Sequence, residues 1–257
     1  MKIISSFHST PHILFYKTLT WIAIQYLIIK EPIKNRGFMM KQAEQLTAIK
    51  EYTIQKLGQD KTGHGMDHIN RVVKMSKRLA MGEKVDPFLP IVAAYLHDTI
   101  DEKLVDNVEA AKQELVDYLK QNDFSDEQVK IIMDVINNIS FAHTLDKEEV
   151  KLSIIGQIVR DADWLDAIGA IGITRAIYYG GGHHEKIYDP AIKPRHNMSR
   201  EEYRNLANET IINHFDEKLL HLKDMMNTET AKKIANHRQQ VMLDFLDEFH
   251  AEWDAKM

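Results

Sequence analysis

The chain has 257 residues, 44% of them hydrophobic and 28% charged, enough to build one large core or two small ones. Its formal net charge of −5 argues against the broad basic face of a non-specific nucleic-acid binder, though not against a single nucleotide held by a few local cations. It has no cysteine, so disulfides and thiolate ligands are excluded and any metal must be held by His and carboxylates, a composition compatible with the cytoplasmic location expected here.

Residues 1–39 read differently from the rest. Ile13–Ile29 is apolar but interrupted by Lys17, Thr18, Thr20 and Gln25. It falls short of the roughly 20 clean apolar residues of a membrane span. No small-residue cleavage site follows it, so a signal peptide is not expected. Three readings stay open: a weak membrane anchor, an added docking helix, or upstream DNA translated from a start codon placed too early. The third is preferred, because Arg36-Gly37 can be encoded by a purine-rich run like a ribosome-binding site, just before Met39 and Met40. The expected organisation is an N-terminal extension over 1–39 and one domain over 40–257.

From Met40 onward the apolar pattern is helical. Leu46, Ile49, Ile54 and Leu57 mark a first helix ending near Gly58. A second begins after Gly63-His-Gly65 and runs to about Met81. Asp86-Pro-Phe-Leu-Pro90 starts a third, whose Ala93 and Ala94 allow a neighbour to approach closely. Val108–Leu119 and Ser125–Ile139 follow, the latter with a capping box between Ser125 and Gln128. Glu148–Ala162 is expected as a helix that delivers Asp163, and Leu165–Tyr179 as the next. The run Tyr179-Gly-Gly-Gly-His-His breaks the period, and is expected as a mobile, solvated or substrate-covering loop rather than a metal site. Residues 201–224 and Thr228–Trp253 are expected as long final helices. No alternating β-branched run suggests a sheet, so the fold is expected to be all-α and single-domain.

Four residues on three of these segments carry chemistry. They are His68 in Gly63-His-Gly-Met-Asp-His-Ile-Asn-Arg71, His97 and Asp98 at the end of Pro90-Ile-Val-Ala-Ala-Tyr-Leu-His-Asp98, and Asp163 in Arg160-Asp-Ala-Asp-Trp-Leu-Asp166. Each has an ordinary reading. His68 shares its face with Val72, Met75 and Leu79 and is readable as a core histidine. His97-Asp98 is readable as a helix C-terminus, and Asp163 as a turn carboxylate. Yet a carboxylate among Gly156, Val159, Ala167 and Ala170 is costly to bury without a cation. Adjacent His and Asp side chains converge on one point only where a helix ends. Two imidazoles and two carboxylates suit a divalent metal of the manganese, iron, zinc or nickel kind better than calcium.

The order of these residues resembles the H…HD…D signature of the HD-domain metal-dependent phosphohydrolases, and most closely the YpgQ-like bacterial branch. A D-x-S-G-H-D-x-x-H-x-x-R-V-like run is matched by Asp60-Lys-Thr-Gly-His-Gly-Met-Asp-His-Ile-Asn-Arg-Val72. HDxxDxK is matched by His97-Asp-Thr-Ile-Asp-Glu-Lys103, and DADxLDAIGAIG by Asp161 to Gly172 throughout. His214–Leu220 also looks like this branch, and the resemblance covers about residues 45 to 253. Gly65 departs from it, standing where an acidic residue is expected.

The resemblance implies an HD-type helical bundle with His68, His97, Asp98 and Asp163 as ligands of one divalent transition metal. Manganese comes first, with magnesium, iron, nickel or zinc as alternatives. It implies a small-molecule nucleotide substrate, a nucleoside triphosphate cut between its α and β phosphates. No nucleic-acid polymer is expected as a partner and no membrane. Asp101 is the expected general base, although it is also readable as a salt-bridge partner of Lys103 or Arg71. Arg71 and Lys103, beside the ligands, are expected to contact phosphate and the developing charge. His64 is expected to line the pocket. Lys218 and Arg238 are readable as phosphate contacts or as packing by their long stems. Asp161 and Asp166 are candidates to orient imidazoles. A phosphomonoesterase or phosphodiesterase at the same site is the second reading, and a non-catalytic metal- or nucleotide-binding regulator the third.

Overall fold

The computed structural model describes residues 33–60, 63–101, 104–141, 151–196, 199 and 209–256. The expectations made for Ile13–Ile29, for Glu148–Val150 and for Lys103 lie outside the described residues. The chain divides into two compact units, Met1–Thr47 and Ala48–Met257. Of the first, the described part is the start of helix α1 (Ile33–Leu57), where Phe38 and Met40 are exposed.

The second unit contains the rest of α1 and the helices α2 (Met66–Gly82), α3 (Phe88–Leu96), α4 (Val108–Gln121), α5 (Asp126–Asn138), α6 (Ile154–Asp166), α7 (Gly169–Gly182), α8 (Asn213–Glu217) and α9 (Glu229–Trp253). A 3-10 helix, Leu219–Met225, precedes α9. Among the described residues there is no strand, only a single parallel bridge between Lys186 and Thr210, so the fold is all-α. Among them, too, no helix is long and apolar enough to cross a membrane.

The helix starts follow from side chains that satisfy otherwise unpaired N–H groups. Asn107 caps α4, Ser153 caps α6 and Thr228 caps α9. At α5 both halves of the Ser125–Gln128 capping box form. A central core then holds α2, α3, α6 and α9 together. Val72, Leu79 and Ala80 from α2 meet Ala93 and Ala94 from α3, and Ile158, Val159, Ala162 and Leu165 from α6. Ala231, Ala235, Met242 and Leu246 line the buried stripe of α9. Each fully buried aliphatic side chain contributes roughly 1.5–3 kcal/mol. α2 packs on both α3 and α6, and these pack on each other, so the three helices bearing the candidate ligands form one rigid group.

Several boundaries differ from the sequence pattern. The buried stripe of α1 within this unit is Ile49, Tyr52, Thr53 and Leu57, while Ile54 is 45% exposed. Tyr52 decides this by packing on Tyr118, ring centroids 4.6 Å apart. Helix α6 starts at Ile154 because the Ser153 hydroxyl accepts from the Gly156 N–H at 3.2 Å. It runs on to Asp166, so Asp163 lies inside the helix rather than after it. The break to α7 falls at Ile168–Gly169, where Gly169 has φ +75°. The three glycines do not break the period either. α7 continues through Gly182, and His183 caps it. Buried Gly180 leaves no room for a Cβ beside Ile211, which explains the glycine better than mobility does. Residues 201–224 are not one long helix: 201–208 lie outside the described residues, α8 is one short turn, and Lys218 (φ −141°) ends it.

Candidate metal centre

The approach to α2 is shaped by two glycines. Gly63 has φ +111°, a conformation that L side chains rarely adopt. At Gly65, where an acid was expected, the loop packs closely: a Cβ there would stand 2.9 Å from the Asp60 carbonyl oxygen. The His64 N–H donates to Asp60 Oδ2 at 2.9 Å. The helix then begins, and its first turn points His68 into the core, 1% exposed. At the other side α3 ends at Leu96 with His97 as its C-cap. Tight turns follow, with the Thr99 N–H donating to Leu96 O at 3.0 Å and the Asp101 N–H to Asp98 O at 3.2 Å. This change of path brings two adjacent side chains, His97 and Asp98, to one point.

There His68, His97 and Asp98 form a compact buried group, with Asp163 beside the two imidazoles. His68 Nε2 and His97 Nε2 are 3.3 Å apart. Asp98 Oδ2 lies 3.5 Å from the first and 3.3 Å from the second. Asp163 Oδ1 lies 3.5 Å and 3.8 Å from the same two nitrogens. Ligand atoms about 2.0–2.2 Å from one ion stand roughly 2.8–3.6 Å apart at octahedral or tetrahedral angles. The 3.3–3.5 Å spacings among His68, His97 and Asp98 match that requirement, whereas Asp163 reaches the two imidazoles at 3.5 and 3.8 Å and stands outside this compact group of three.

The imidazole tautomers agree with this. His97 Nδ1 is 2.8 Å from the Ala94 carbonyl oxygen, which can only accept, so Nδ1 carries the proton. His68 Nδ1 is 2.7 Å from Asp166 Oδ2, again an acceptor. Both Nε2 atoms are thereby left presenting lone pairs toward each other in a buried space, an arrangement that calls for a cation or a proton between them. Asp163, with 27% of its side chain exposed, marks the open side of the cluster.

Asp166 is the anchor behind the site. Besides His68 it accepts two bonds from Arg71, Nε to Oδ1 at 2.7 Å and Nη2 to Oδ2 at 3.0 Å, and one from Arg175 Nη1 at 3.1 Å. Arg175 Nη2 donates to Gly63 O at 3.1 Å and so ties the His64 loop to α7. Burial opposes ionisation of Asp166, but the His68 and Arg71 bonds outweigh it and hold its pKa well below the usual carboxylate range. Burial likewise opposes charge on His68, yet the bonds to Asp166 and Asp98 prevail and push its pKa up to about 9. Asp98 is also depressed: desolvation is overcome by His97 and by the hydrogen bonds of His64 and His68. His64 Nδ1 lies 2.9 Å from Asp98 Oδ2, so His64 sits directly against a candidate ligand.

The remaining candidates are placed as follows. Asp101 follows the turn after Asp98 and is partly buried. Lys218 Nζ stands over the Phe141 ring at 4.6 Å. Arg238 donates to the Leu165 carbonyl and lies along Gly169. Asp161 does not orient an imidazole. It accepts from the Asn227 backbone and side chain and from the Thr228 N–H and hydroxyl, at 2.6–3.1 Å, and so fastens the start of α9 to α6. His183 stacks on Tyr179 with ring centroids 4.0 Å apart, and it is not part of the His68, His97 and Asp98 group. Arg175 was missed from sequence. It lies beyond the break at Ile168, where helical spacing from Asp166 carries no information.

An all-helical fold with this His, His-Asp and Asp constellation defines a class. The HD domain family matches residues 65–168, the span that contains all four side chains. YpgQ of Bacillus subtilis (strain 168) is 34% identical over 207 residues, covering 80% of this chain and 93% of that protein. Its crystal structure in complex with ADP superposes with a TM-score of 0.67 at 30% identity, covering 82% of this chain and 96% of the other. A solved Lactobacillus plantarum protein is 49% identical with a TM-score of 0.74, over 82% of this chain and 97% of that one. An HD-superfamily hydrolase of Bacillus thuringiensis is 36% identical with a TM-score of 0.67, over 83% and 99%. The chain belongs to the HD-domain family and is related to YpgQ. Its buried His and Asp cluster has the donor chemistry of a divalent-metal site.

Proposed function

We propose that this chain is a metal-dependent phosphohydrolase acting on nucleotides, and that it cuts a nucleoside triphosphate between the α and β phosphates. The observation that carries the reading is the compact buried group of His68, His97 and Asp98, spaced 3.3–3.5 Å apart, with Asp163 3.5–3.8 Å from the two imidazole nitrogens. The ADP bound to Bacillus subtilis YpgQ supports a nucleotide as the ligand. The chemistry that a divalent ion, manganese first, supplies in such a donor set is Lewis acidity toward water and toward a phosphoryl oxygen.

The residues of the chain supply the rest. Hydrolysis forms a bond from a water oxygen to the α-phosphorus and breaks the bond to the bridging oxygen. A proton leaves the water and pyrophosphate departs. Asp101, tied by its backbone to Asp98 at 3.2 Å, is assigned as the acceptor of that proton. Lys103 is assigned, from its place in the sequence, to the charge that develops on the phosphates. Arg71 spends three bonds on Asp166 and Asp67, and a guanidinium has five N–H groups, so it retains donors for a phosphate oxygen. His64 lines the pocket and orients Asp98, and Lys218 is assigned to the substrate side.

A nucleotide panel assayed for phosphate with manganese present, with and without added inorganic pyrophosphatase, tests the reading. Phosphate seen only after pyrophosphatase supports α–β cleavage. Phosphate without it points to a monoesterase. No turnover with retained metal binding would leave a regulator.

A further inference from the structure

On the far side of Arg71 and Asp166 lies a cleft of about 280 Å³, lined by Arg71, Lys74 and Arg78 from α2, Asp166 from α6 and Arg238 from α9, over an apolar floor that includes Met75. Arg71, Lys74 and Arg78 recur at helical spacing, so one face of α2 is cationic. Four cations face a single carboxylate, in a chain whose overall charge is −5. That carboxylate is already engaged by His68, Arg71 and Arg175. Among the described residues Lys74 and Arg78 form no ion pair. Arg238 is half-buried, and burial together with the repulsion of Arg78 lowers its pKa. Such a concentration of like charge around a concave surface favours a multivalent anion.

We infer that this cleft, which shares Arg71 and Asp166 with the support behind the candidate metal centre, is a second, anion-binding site that takes a phosphate- or pyrophosphate-sized group. The three cationic side chains of α2 and Arg238 gather around one cleft, which suits a compact multivalent anion. The guanidinium groups of Arg78 and Arg238 supply fork-shaped donors for oxyanions, and Lys74 adds a mobile charge. The inference does not depend on which nucleotide bond is cut.

Isothermal titration calorimetry with inorganic phosphate and pyrophosphate, on full-length protein freed of metal by a chelating resin, is the test. Pyrophosphate should bind the parent protein with an affinity that weakens as salt is raised. The double variant Lys74→Gln, Arg78→Gln should bind on the order of tenfold or more weakly, the effect of losing charge-assisted bonds. Both side chains are exposed, and Arg78→Glu is the second variant, expected to bind more weakly still. His97→Ala should bind pyrophosphate like the parent. No binding by the parent, equal binding by the double variant, or loss of binding in His97→Ala would overturn the inference.

Discussion

His68 Nδ1 and Asp166 Oδ2 lie 2.7 Å apart, both buried, although 98 residues separate them in the chain. The contact gives the imidazole its tautomer and its orientation. It also links the candidate metal centre to Arg71 and Arg175, so the buried His and Asp cluster is held from behind by a charged network rather than by packing alone.

Proton linkage follows from this contact. In metal-free protein His68 is protonated at neutral pH, its pKa standing at about 9. Bound metal needs the neutral ring, so binding should release a proton and tighten as pH rises from about 7 to 9. The charged ring also stabilises the metal-free fold. With a folded pKa of about 9 against a usual value of 6.5, that contribution is full below the lower value and is lost as pH climbs through the higher one. It amounts to a few kcal/mol, roughly 1.4 per pKa unit. Asp166 acts oppositely: its depressed pKa stabilises the fold above the ordinary carboxylate range and that contribution is lost on acidification. Denaturant titrations of metal-free protein should therefore fall off at both ends. Flat stability from about pH 6 to 10 would contradict the His68 assignment.

Asp166→Asn keeps the shape of the side chain and deletes the charge. It should lower the His68 pKa and weaken metal binding by about 10–100-fold. NMR titration of the imidazole and calorimetry with manganese measure the two effects. An unchanged metal affinity would mean that Asp166 serves only the fold.

Asp98→Ala should abolish turnover and metal retention while the helices stay folded, as read by circular dichroism and metal analysis. Normal turnover in that variant would remove Asp98 from the proposed ligand set.

Asp161→Ala separates structure from chemistry. It strips acceptors from Asn227 and from the Thr228 cap of α9, and should cost on the order of 3 kcal/mol. Metal affinity at a temperature where the variant is folded should match the parent. A large loss of affinity with little loss of stability would reverse this assignment.

Lys103→Met keeps the stem and deletes the charge. If Lys103 meets charge that develops in the transition state, kcat and kcat/KM should fall together, by on the order of a hundredfold. Unchanged kinetics across nucleoside triphosphates would make it ordinary surface charge.

Much of this was legible in the sequence. Helical periodicity and the Ser125–Gln128 capping box are local signals, and they produce local structure. So does the His97-Asp98 pair at the end of an apolar run, because adjacent side chains can converge only where a helix stops. The order of His68, His97-Asp98 and Asp163 picked out residues that the fold brings close together, His68, His97 and Asp98 as a compact group and Asp163 beside the imidazoles. Tertiary structure decided the rest, because the deciding contacts link residues far apart in the chain. Asp161 and Asp166 sit in one motif and look alike, yet one faces Thr228 and the other faces His68 and two arginines. Tyr118 set the buried stripe of α1, and Ile211 required Gly180 inside a helix. The cationic cleft exists only because Arg238 of α9 is folded against α2, bringing like charges together from 160 residues apart or more. Side-chain spacing within a helix is set by its own backbone; which helix lies opposite is set by the core.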